Sequence, residues 1–404
     1  MNNNWQTKKL GDLCTIELGK TPYRGNHKYW DPDRRGDNVW LSIADLLNTT
    51  DNIVLDSKEY ISDEGAQLGK IVKKGTLLVS FKLTLGRLAF AGKDLYTNEA
   101  IAALTIKNEK EISKNYLYYF LSFFDWHTAA QGDVKIKGKT LNKAKLKEIE
   151  ISYPQSLQEQ RHIVKILDEV FAGISKAREN TEKNLKNARE LFESYLQSVF
   201  ANPGKGWESK TLSDFFEITS SKRVFKSEWK NKGVPFYRAR EIVKLAKQGY
   251  VKNELFISEG MYKIYSEKYG IPKEGDIMVT GVGTLGICYV VKQKDKFYFK
   301  DGNIIWLKTK GNINSRFVEY FFNSPSFKKY INSSNGATVG TFTIIKAKNS
   351  AMHIPSPTEQ QLIVNKLDAL SGETKKLEQI YQKKLDDLDE LKKSVLKKAF
   401  AGKL

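Results

Sequence analysis

The sequence predicts an α+β protein in which two α/β domains, related by an approximate two-fold axis, are separated by an antiparallel coiled coil of two long helices. Two segments recur after 200 residues: EQRHIVKILD at Glu159 returns as EQQLIVNKLD at Glu359, and LFESYLQSVFA at Leu191 returns as LKKSVLKKAFA at Leu391. This period far exceeds the roughly 20–50 residues of a solenoid repeat, so a domain and a helix are duplicated. We expect the boundaries at 1–156, 157–202, 203–356 and 357–404.

Short apolar runs separated by turn residues indicate strands in the first domain. These runs begin at Val39, Gly75, Leu88 and Ile101. The dense aromatic and aliphatic run NYLYYFLSFF at Asn115 predicts a buried helix. Strands mixed with a helix over 156 residues are typical of an α/β domain.

The second domain repeats the strand pattern of the first. Its GTLG at Gly283 corresponds to LTLG at Leu83, again at a shift of 200 residues. Both segments end in a glycine that follows a strand, Gly86 in the first and Gly286 in the second. We predict a turn with positive φ at each of these glycines, because glycine adopts that conformation without steric cost.

Both helical segments carry apolar residues at alternating spacings of four and three, which is typical of a coiled-coil seam. Two helices of the same phase can bury their seams against each other, and the domain between them is long enough to return the chain antiparallel. The alternative, a helix that folds back on its own domain, is less favoured because helices this long usually pair. The predicted seam and partner-docking residues are Ile163, Leu167, Val170, Ile174, Leu191, Tyr195, Ile363, Leu367, Leu370, Leu377, Leu388, Leu391 and Val395.

The chain is strongly basic, with 66 Lys and Arg against 47 Asp and Glu and a net charge of +19. Self-repulsion disfavours such a surplus unless a polyanion offsets it. Nucleic acid is therefore the first candidate partner. A membrane surface fits less well, because the sequence lacks a basic amphipathic helix with bulky apolar anchors.

Targeting signals and cysteine usage indicate a cytoplasmic protein. No apolar run approaches the roughly 18 residues of a membrane span, and the N-terminal sequence lacks the apolar core of a signal peptide. Cys14 and Cys288 lie in apolar stretches, in no metal-binding or redox spacing. We expect both to be reduced core residues.

Catalytic and cofactor-binding motifs are missing from the sequence. There is no phosphate-binding G-x-x-x-x-G-K-[ST] motif, and GVGTLG at Gly281 is not followed by the helix and acidic residue of a dinucleotide fingerprint. The four histidines are scattered, and no nucleophile–base set or metal-ligand cluster occurs. We therefore expect a binding protein without catalytic residues, metal ligands or a cofactor of its own.

These motifs together resemble the specificity subunit of type I restriction–modification systems over essentially the whole chain. The resemblance rests on the duplicated helix start, PQSLQEQRHIVKILD from Pro154 and PTEQQLIVNKLD from Pro357, and on the helix ends SVFANPG and KAFAGKL. The domain starts at Trp5 and Trp207 and the segment GKTLNKAKLKEIEISYP add to it. The segment TFTIIKAKNSAMHIPSP, which leads out of the second domain, matches less well.

The resemblance implies a division of roles between domains and helices. Each domain would be a target recognition domain that reads one half of a bipartite, asymmetric site in double-stranded DNA. The helices would set the spacer and dock two adenine-N6 methyltransferase subunits that carry S-adenosylmethionine. Restriction subunits that use ATP and Mg would join them, so catalysis would belong to the partners.

The DNA-binding candidates are basic, tyrosine and threonine side chains in glycine-containing loops, because phosphate contacts supply affinity and base contacts supply specificity. Arg223, Arg238 and Arg240 are the preferred base readers, since a guanidinium can bind guanine bidentately. We place VKIKGK at Val134 in a loop that contacts phosphates. The full set is Lys20, Tyr23, Arg24, Lys82, Arg87, Lys135, Lys137, Lys139, Lys222, Arg223, Arg238, Arg240, Thr280, Thr284, Thr338 and Thr341.

Two other functions fit the same sequence. A stand-alone sequence-specific or architectural DNA-binding protein would bind DNA well without a methyltransferase. A metal-dependent nuclease is less favoured because an acidic cluster is missing, and metal-dependent cleavage by the pure chain would establish it.

Overall fold

The structure is a computed structural model that describes residues 4–49, 51–130, 134–135, 138–139, 141–333 and 340–404, with the backbone alone at 134–135, 138–139 and 333. The chain forms two compact units. The first is Met1–Asn180 with Lys384–Leu404, and the second is Thr181–Lys383. Each unit contains one α/β domain and a stretch of both long helices. The predicted α+β class, with two such domains and two long helices, is confirmed.

The first domain is built on a five-stranded sheet, a three-stranded sheet and a strand pair that joins its two ends. Its described strands are β1 Trp5–Lys9, β2 Cys14–Leu18, β3 Val39–Leu41, β4 Ile53–Val54, β5 Glu59–Tyr60, β6 Leu77–Ser80, β7 Leu88–Ala91, β8 Tyr96–Thr97, β9 Ile101–Ile106, β10 Val134–Lys135, β11 Gly138–Lys139 and β12 Glu150–Pro154. The large sheet has the order β2-β9-β6-β7-β4 and the smaller one β5-β3-β8. Strands β1 and β12 pair antiparallel, which brings the first and last strands of the domain side by side.

Helices cover one face of the large sheet. The helices of the first domain and the long helix after it are α1 Leu10–Leu13, α2 Asp63–Ala66, α3 Lys114–Phe123, α4 Trp126–Ala129, α5 Lys143–Lys147 and α6 Leu157–Ala201. Tyr116 and Leu117 of α3 are fully buried against Leu77, Val79 and Leu104 of the sheet. The predicted strands near Val39, Gly75, Leu88 and Ile101 and the helix near Asn115 are confirmed as β3, β6, β7, β9 and α3.

The second domain repeats this plan with different additions. Its strands are β13 Glu208–Thr211, β14 Phe216–Thr219, β15 Val234–Tyr237, β16 Phe256–Ile257, β17 Ile277–Thr280, β18 Cys288–Val290, β19 Tyr298–Phe299, β20 Ile304–Thr309 and β21 Ala351–Ile354. They form sheets of order β14-β20-β17-β18 and β16-β15-β19 and the pair β13-β21. The remaining helices are α7 Leu212–Phe215, α8 Ala239–Gln248, α9 Glu259–Tyr269, α10 Ser315–Asn323, α11 Pro325–Ser333, α12 Ile344–Lys348 and α13 Pro357–Phe400.

The EQ pair of the duplicated motif fixes the start of each long helix. The Gln160 side chain, which is fully buried, donates to the carbonyl oxygens of Glu111 (2.9 Å) and Pro154 (2.8 Å) and accepts from the Ser113 amide (2.8 Å). Gln360 donates to the carbonyl of Pro355 (3.0 Å) and accepts from the Asn314 amide (2.9 Å). Each glutamine therefore ties its helix to the loop before α3 or α10.

The rest of the motif packs each helix onto the domain that precedes it. Ile163, Val164 and Leu167 belong to the core of the first domain. Val364 and Leu367 belong to the core of the second. The motif aspartates, Asp168 and Asp368, accept hydrogen bonds from the hydroxyls of Tyr119 and Tyr320. The first three turns of each helix thus fold back on their own domain, the arrangement that the sequence favoured less.

Beyond these turns, stretches of the two helices pair antiparallel within each unit. In the first unit Arg178 forms an ion pair with Asp389, and Lys392 lies 5.1 Å from the ring centroid of Phe171. Leu396 and Ala399 complete the core of the first domain. The contacts run in opposite chain directions, as the coiled-coil prediction requires.

The second unit shows the same antiparallel pairing. Arg189 forms an ion pair with Glu378 (3.3 Å), and Lys366 lies 4.9 Å from the ring centroid of Tyr195. Leu196 is buried in the same core as Leu367. Each domain is therefore packed against the start of one long helix and the end of the other.

Three predicted seam residues face solvent instead of the seam. Leu191, Leu377 and Leu391 are 60%, 39% and 47% exposed, whereas the other ten are buried or half-buried. After Ala188 the packed face continues through Phe192 and Leu196. A strict seven-residue pattern drifts by about 20° per heptad on a helix of 3.6 residues per turn, so the buried stripe moves to neighbouring residues.

The predicted glycine turns are confirmed, with φ of 77° at Gly86 and 71° at Gly286. A Cβ at Gly86 would clash with the Trp126 indole, whereas one at Gly302, whose φ is 70°, would meet nothing within 4 Å. Gly86→Ala is therefore expected to lower the thermal midpoint well beyond Gly302→Ala, which adds backbone strain alone. Equal melting shifts for the two variants, measured by circular dichroism, would contradict this role of the Trp126 contact.

Candidate nucleic-acid interface

Three loops of the first domain meet at one end of its five-stranded sheet, because neighbouring antiparallel strands end and begin there. The segment that leads into α5 joins them. The Lys20 amide donates to the carbonyl of Thr97 (2.8 Å), and the Phe81 amide donates to that of Ala100 (3.0 Å). The Leu141 amide in turn donates to the carbonyl of Phe81 (2.9 Å). We call the surface formed by residues 19–24, 81–87 and 97–100 the first loop edge.

Five predicted DNA-binding residues of the first domain lie on the first loop edge: Lys20, Tyr23, Arg24, Lys82 and Arg87. Tyr23 is 75% exposed. The Lys82 Nζ atom lies 5.3 Å from the centroid of the Phe81 ring. Arg87 is half-buried, and its Nη1 donates to the carbonyl of Ile43 (3.4 Å). The structure therefore brings together residues that are up to 67 positions apart in the sequence.

The other three candidates of this domain belong to the segment between α4 and α5. Lys135 and Lys139 lie on β10 and β11, which pair antiparallel. Two short strands thus stand where the sequence predicted a loop. Lys137 lies outside the described residues.

Aromatic rings hold the guanidinium of Arg24 in place. It lies 4.5 Å from the ring centroid of Trp30 and 5.1 Å from that of Trp40, and it forms a two-point ion pair with Glu59. Arg24, Trp30 and Glu59 border a cleft of about 390 Å³ that Tyr60 also lines. The Arg24 side chain remains 55% exposed, so it presents an oriented cation at the surface.

The second domain forms an equivalent surface. The Gly281 amide donates to the carbonyl of Asn303 (2.9 Å), and the Phe342 amide donates to that of Gly281 (3.0 Å). The Ser221 hydroxyl donates to the carbonyl of Phe299 (2.7 Å). We call the surface formed by residues 220–223, 281–287 and 299–303 the second loop edge.

Most of the threonine and lysine candidates lie on or beside the second loop edge. Lys222 and Thr284 are exposed on it, and Thr341 bridges to its residue Val282 through the backbone. Thr280 differs, because its buried hydroxyl donates to the carbonyl of Thr284 and accepts from the Ile287 amide (3.0 Å). The structure gives Thr280 a role in holding the turn. Thr338 lies outside the described residues.

All three preferred base readers have acidic partners, and two of them, Arg238 and Arg240, share Glu241. Arg238 forms a two-point ion pair with Glu241 (3.1 and 2.9 Å), and Arg240 bonds to Glu241 (2.6 Å) and Glu254. Burial raises the pKa of Glu241, but the hydrogen bonds from both arginines outweigh it and hold that pKa below its ordinary value. Arg238 is largely covered, with 25% of its side chain exposed. The predicted contact of Arg238 with a base would therefore require its guanidinium to leave Glu241.

Acidic residues also lie on the two loop edges, although none of them was predicted from the sequence. Glu99 accepts from the Thr21 hydroxyl, and Asp301 accepts from Nε of Arg223 (3.0 Å). Burial raises the pKa of Glu99, but the Thr21 hydrogen bond and the positive charges of Lys82 and Arg24 hold it below its ordinary value. A search for basic residues overlooks such positions, although their spacing from Trp5 and Trp207 could have aligned them.

The described part of the chain contains no group of three or more His, Cys, Asp or Glu residues arranged to hold a metal ion. Among the described helices, none combines the length and apolar character needed to cross a membrane.

Comparison with known proteins identifies both domains. The family model described as "Type I restriction modification DNA specificity domain" matches residues 2–186 and 204–385. The type I restriction enzyme MjaIX specificity subunit of Methanocaldococcus jannaschii is 27% identical over 290 residues, which cover 66% of this chain and 65% of that protein. The match thus spans a little under two thirds of the length of this curated relative.

Two solved structures share the fold. One, from a study of complex assembly and conformational transition of the type I R-M system, has a TM-score of 0.79 at 16% identity and covers 100% of this chain and 99% of its own. The HsdS subunit of Thermoanaerobacter tengcongensis has a TM-score of 0.62 at 16% identity, with coverage of 100% and 98%. The family match extends over most of the sequence, so the chain belongs to the type I restriction modification DNA specificity domain family and carries that domain twice.

Proposed function

We propose that this chain is the non-catalytic DNA specificity subunit of a type I restriction–modification complex. Each domain reads one half of a bipartite, asymmetric DNA site with its loop edge, and the helices set the spacer between the half-sites. The observation that carries the proposal is a pair of loop edges with matching backbone hydrogen bonds and different side chains. Two different surfaces on one fold suit two unrelated half-sites, whereas a symmetric dimer would read a palindrome.

The charge of the chain supports DNA as the ligand. The net charge is +19, and exposed cations such as Lys20, Arg24 and Lys222 lie on the loop edges. Cations that neutralise phosphates release counterions, which supplies affinity independent of sequence. Side chains that lie between these cations can then contact base edges in the groove and so supply specificity.

The helices dock two methyltransferase subunits in this proposal. Leu191 of α6 and Leu391 of α13 occupy equivalent positions in the repeat and are 60% and 47% exposed. Equivalent apolar side chains on the outer faces of two helices suit two copies of one partner. The methyltransferase subunits would supply S-adenosylmethionine, the restriction subunits would supply ATP and Mg, and the complex would act in the cytoplasm.

Assembly with a methyltransferase tests the proposal. The full chain is produced together with the adenine-N6 methyltransferase encoded nearest to it, and the mass of the complex is measured by light scattering. We expect two methyltransferase subunits per chain and N6-methyladenine at a bipartite site in duplex DNA, with neither protein active alone. Tight sequence-specific binding by the chain without any methyltransferase would instead establish a stand-alone DNA-binding protein. Cleavage by the pure chain with Mg²⁺ would establish a nuclease.

Lysines of the first loop edge are expected to contribute affinity without specificity. Lys20→Ala or Lys82→Ala should weaken binding to all duplexes alike and lower the slope of log K against log salt by about 1. Lys110→Ala is the control, because Lys110 is exposed beyond the opposite end of β9. Fluorescence anisotropy at several salt concentrations measures the slopes. A change confined to one DNA sequence would show that the lysine reads bases.

A further inference from the structure

The two loop edges place an acidic residue at the same structural position. Glu99 is the second residue after β8, and Asp301 is the second residue after β19. Their partners, Thr21 and Arg223, each lie seven residues after the first residue of the corresponding strand, Cys14 of β2 or Phe216 of β14. Both pairs obey the shift of 202 residues that relates Trp5 to Trp207. Each domain therefore has a hydrogen-bonded pair with a carboxylate at the same structural position.

The pair has opposite hydrogen-bonding character in the two domains. In the first, the partner of the carboxylate is a neutral hydroxyl, so Glu99 remains a negatively charged acceptor on an exposed residue. In the second, Asp301 is 19% exposed and holds the arginine, whose side chain is 67% exposed. There the outward group is a guanidinium donor. Its bond to Asp301 uses Nε, and the described residues make no hydrogen bond to Nη1 or Nη2 of Arg223.

A carboxylate on a DNA-binding surface can make few favourable contacts with DNA. Burial raises the pKa of Glu99, but the Thr21 hydrogen bond and the positive charges of Lys82 and Arg24 hold it below its ordinary value, so Glu99 carries a negative charge at neutral pH. An ionised carboxylate is repelled by phosphates and can only accept hydrogen bonds. In the major groove N4 of cytosine and N6 of adenine are both donors, but N6 lies beside the acceptor N7, which repels a carboxylate. Glu and Asp therefore accept from cytosine N4, whereas arginine donates to O6 and N7 of guanine.

We propose that these two pairs are specificity-determining positions, with Glu99 selecting cytosine in one half-site and Arg223, oriented by Asp301, selecting guanine in the other. The inference rests on the proposed function, since it assigns bases to the loop edges. It gives a physical reason why two domains of one fold read different sequences: the same position presents an acceptor in one and a donor in the other.

Sequence preference after substitution tests the inference. The full chain, in complex with the methyltransferase subunit, is used to enrich a randomised duplex library, and bound sequences are counted. Glu99→Gln should reduce the preference for cytosine at one position of one half-site by about 5- to 150-fold and leave the other positions unchanged. Glu109→Gln is the control, because it removes the same charge from an exposed residue at the opposite end of β9.

An exchange of the pair tests the same idea by gain of specificity. Thr21→Arg with Glu99→Asp gives the first domain the chemistry of the second, and one cytosine of its half-site should become guanine. Arg223→Thr with Asp301→Glu should produce the reverse change in the other half-site. Melting curves confirm that the variants fold.

Three results would overturn the inference. An unchanged sequence logo for Glu99→Gln would show that the carboxylate reads no base. Equal weakening at every position would assign it to loop support through Thr21. A wild-type complex that enriches no sequence would overturn the proposed function together with the inference, whereas the first two results leave the proposed function intact.

Discussion

Exchange of residues 203–356 for the corresponding segment of another specificity subunit is expected to replace one half of the recognised DNA site and to leave the other half unchanged. Strand β13 pairs with β21 from Glu208↔Ile354 to Thr211↔Ala351, so the domain begins and ends at one place. The whole second loop edge lies between these strands. Mapping of N6-methyladenine in DNA treated with the hybrid complex would read out both half-sites.

The reciprocal exchange of residues 1–156 is the matched control, and it should change only the other half-site. In the exchange of residues 203–356, the donor segment must repack against helix residues that complete the core of the second domain, including Leu196, Val364 and Leu367. A melting curve separates a hybrid that fails to fold from one that folds and reads new DNA. If a folded hybrid changed both half-sites, the two domains would not read independently.

The fold could be predicted from the sequence because its strand and helix patterns are strong and occur in both halves of the chain. Buried strands such as β6 and β9 are short runs of apolar residues, and a heptad pattern over more than 40 residues predicts a long helix. The glycine turns followed from steric chemistry alone. Their φ values of 77° and 71° agree with that reasoning.

The candidate site was harder to predict, because its residues depend on side-chain partners that a single sequence does not show. Arg238 and Arg240 have the side chains expected of base readers, yet both are bonded to Glu241, which lies three residues after the first and directly after the second. Thr280 has a polar side chain in the right loop, but the turn uses its hydroxyl. Glu99 was overlooked because its charge has the wrong sign for a search based on phosphate binding.

The duplicated helix motif also has a different meaning in the structure. The resemblance implies that the helices dock two methyltransferase subunits. The structure shows that Gln160, Ile163, Leu167 and Asp168 contact their own domain. Their counterparts in the second unit make equivalent contacts. Repetition of these residues therefore reflects the packing of each helix on its own domain.

Gln160→Leu is expected to lower the free energy of unfolding strongly, because the Gln160 side chain joins the start of α6 to its own domain. Leucine fills a similar volume but leaves the Ser113 amide and the carbonyls of Glu111 and Pro154 without the partners they have in the wild type. Each buried polar group that loses its partner costs about 1–3 kcal/mol. Amide hydrogen exchange should accelerate most at Ser113 and in the first turns of α6, because these groups separate when the joint opens.

Gln158→Leu is the matched control, since Gln158 is exposed two residues earlier on the same helix. Surface changes of this kind usually alter the free energy of unfolding by no more than about 0.5 kcal/mol. Faster exchange spread evenly over the first unit would mean that Gln160 supports the whole core instead of the joint. Unchanged exchange at Ser113 would show that the helix is held by Ile163 and Leu167 alone. Gln360→Leu should have a similar local effect at Asn314, because Gln360 likewise accepts from a backbone amide, that of Asn314, and donates to a proline carbonyl, that of Pro355.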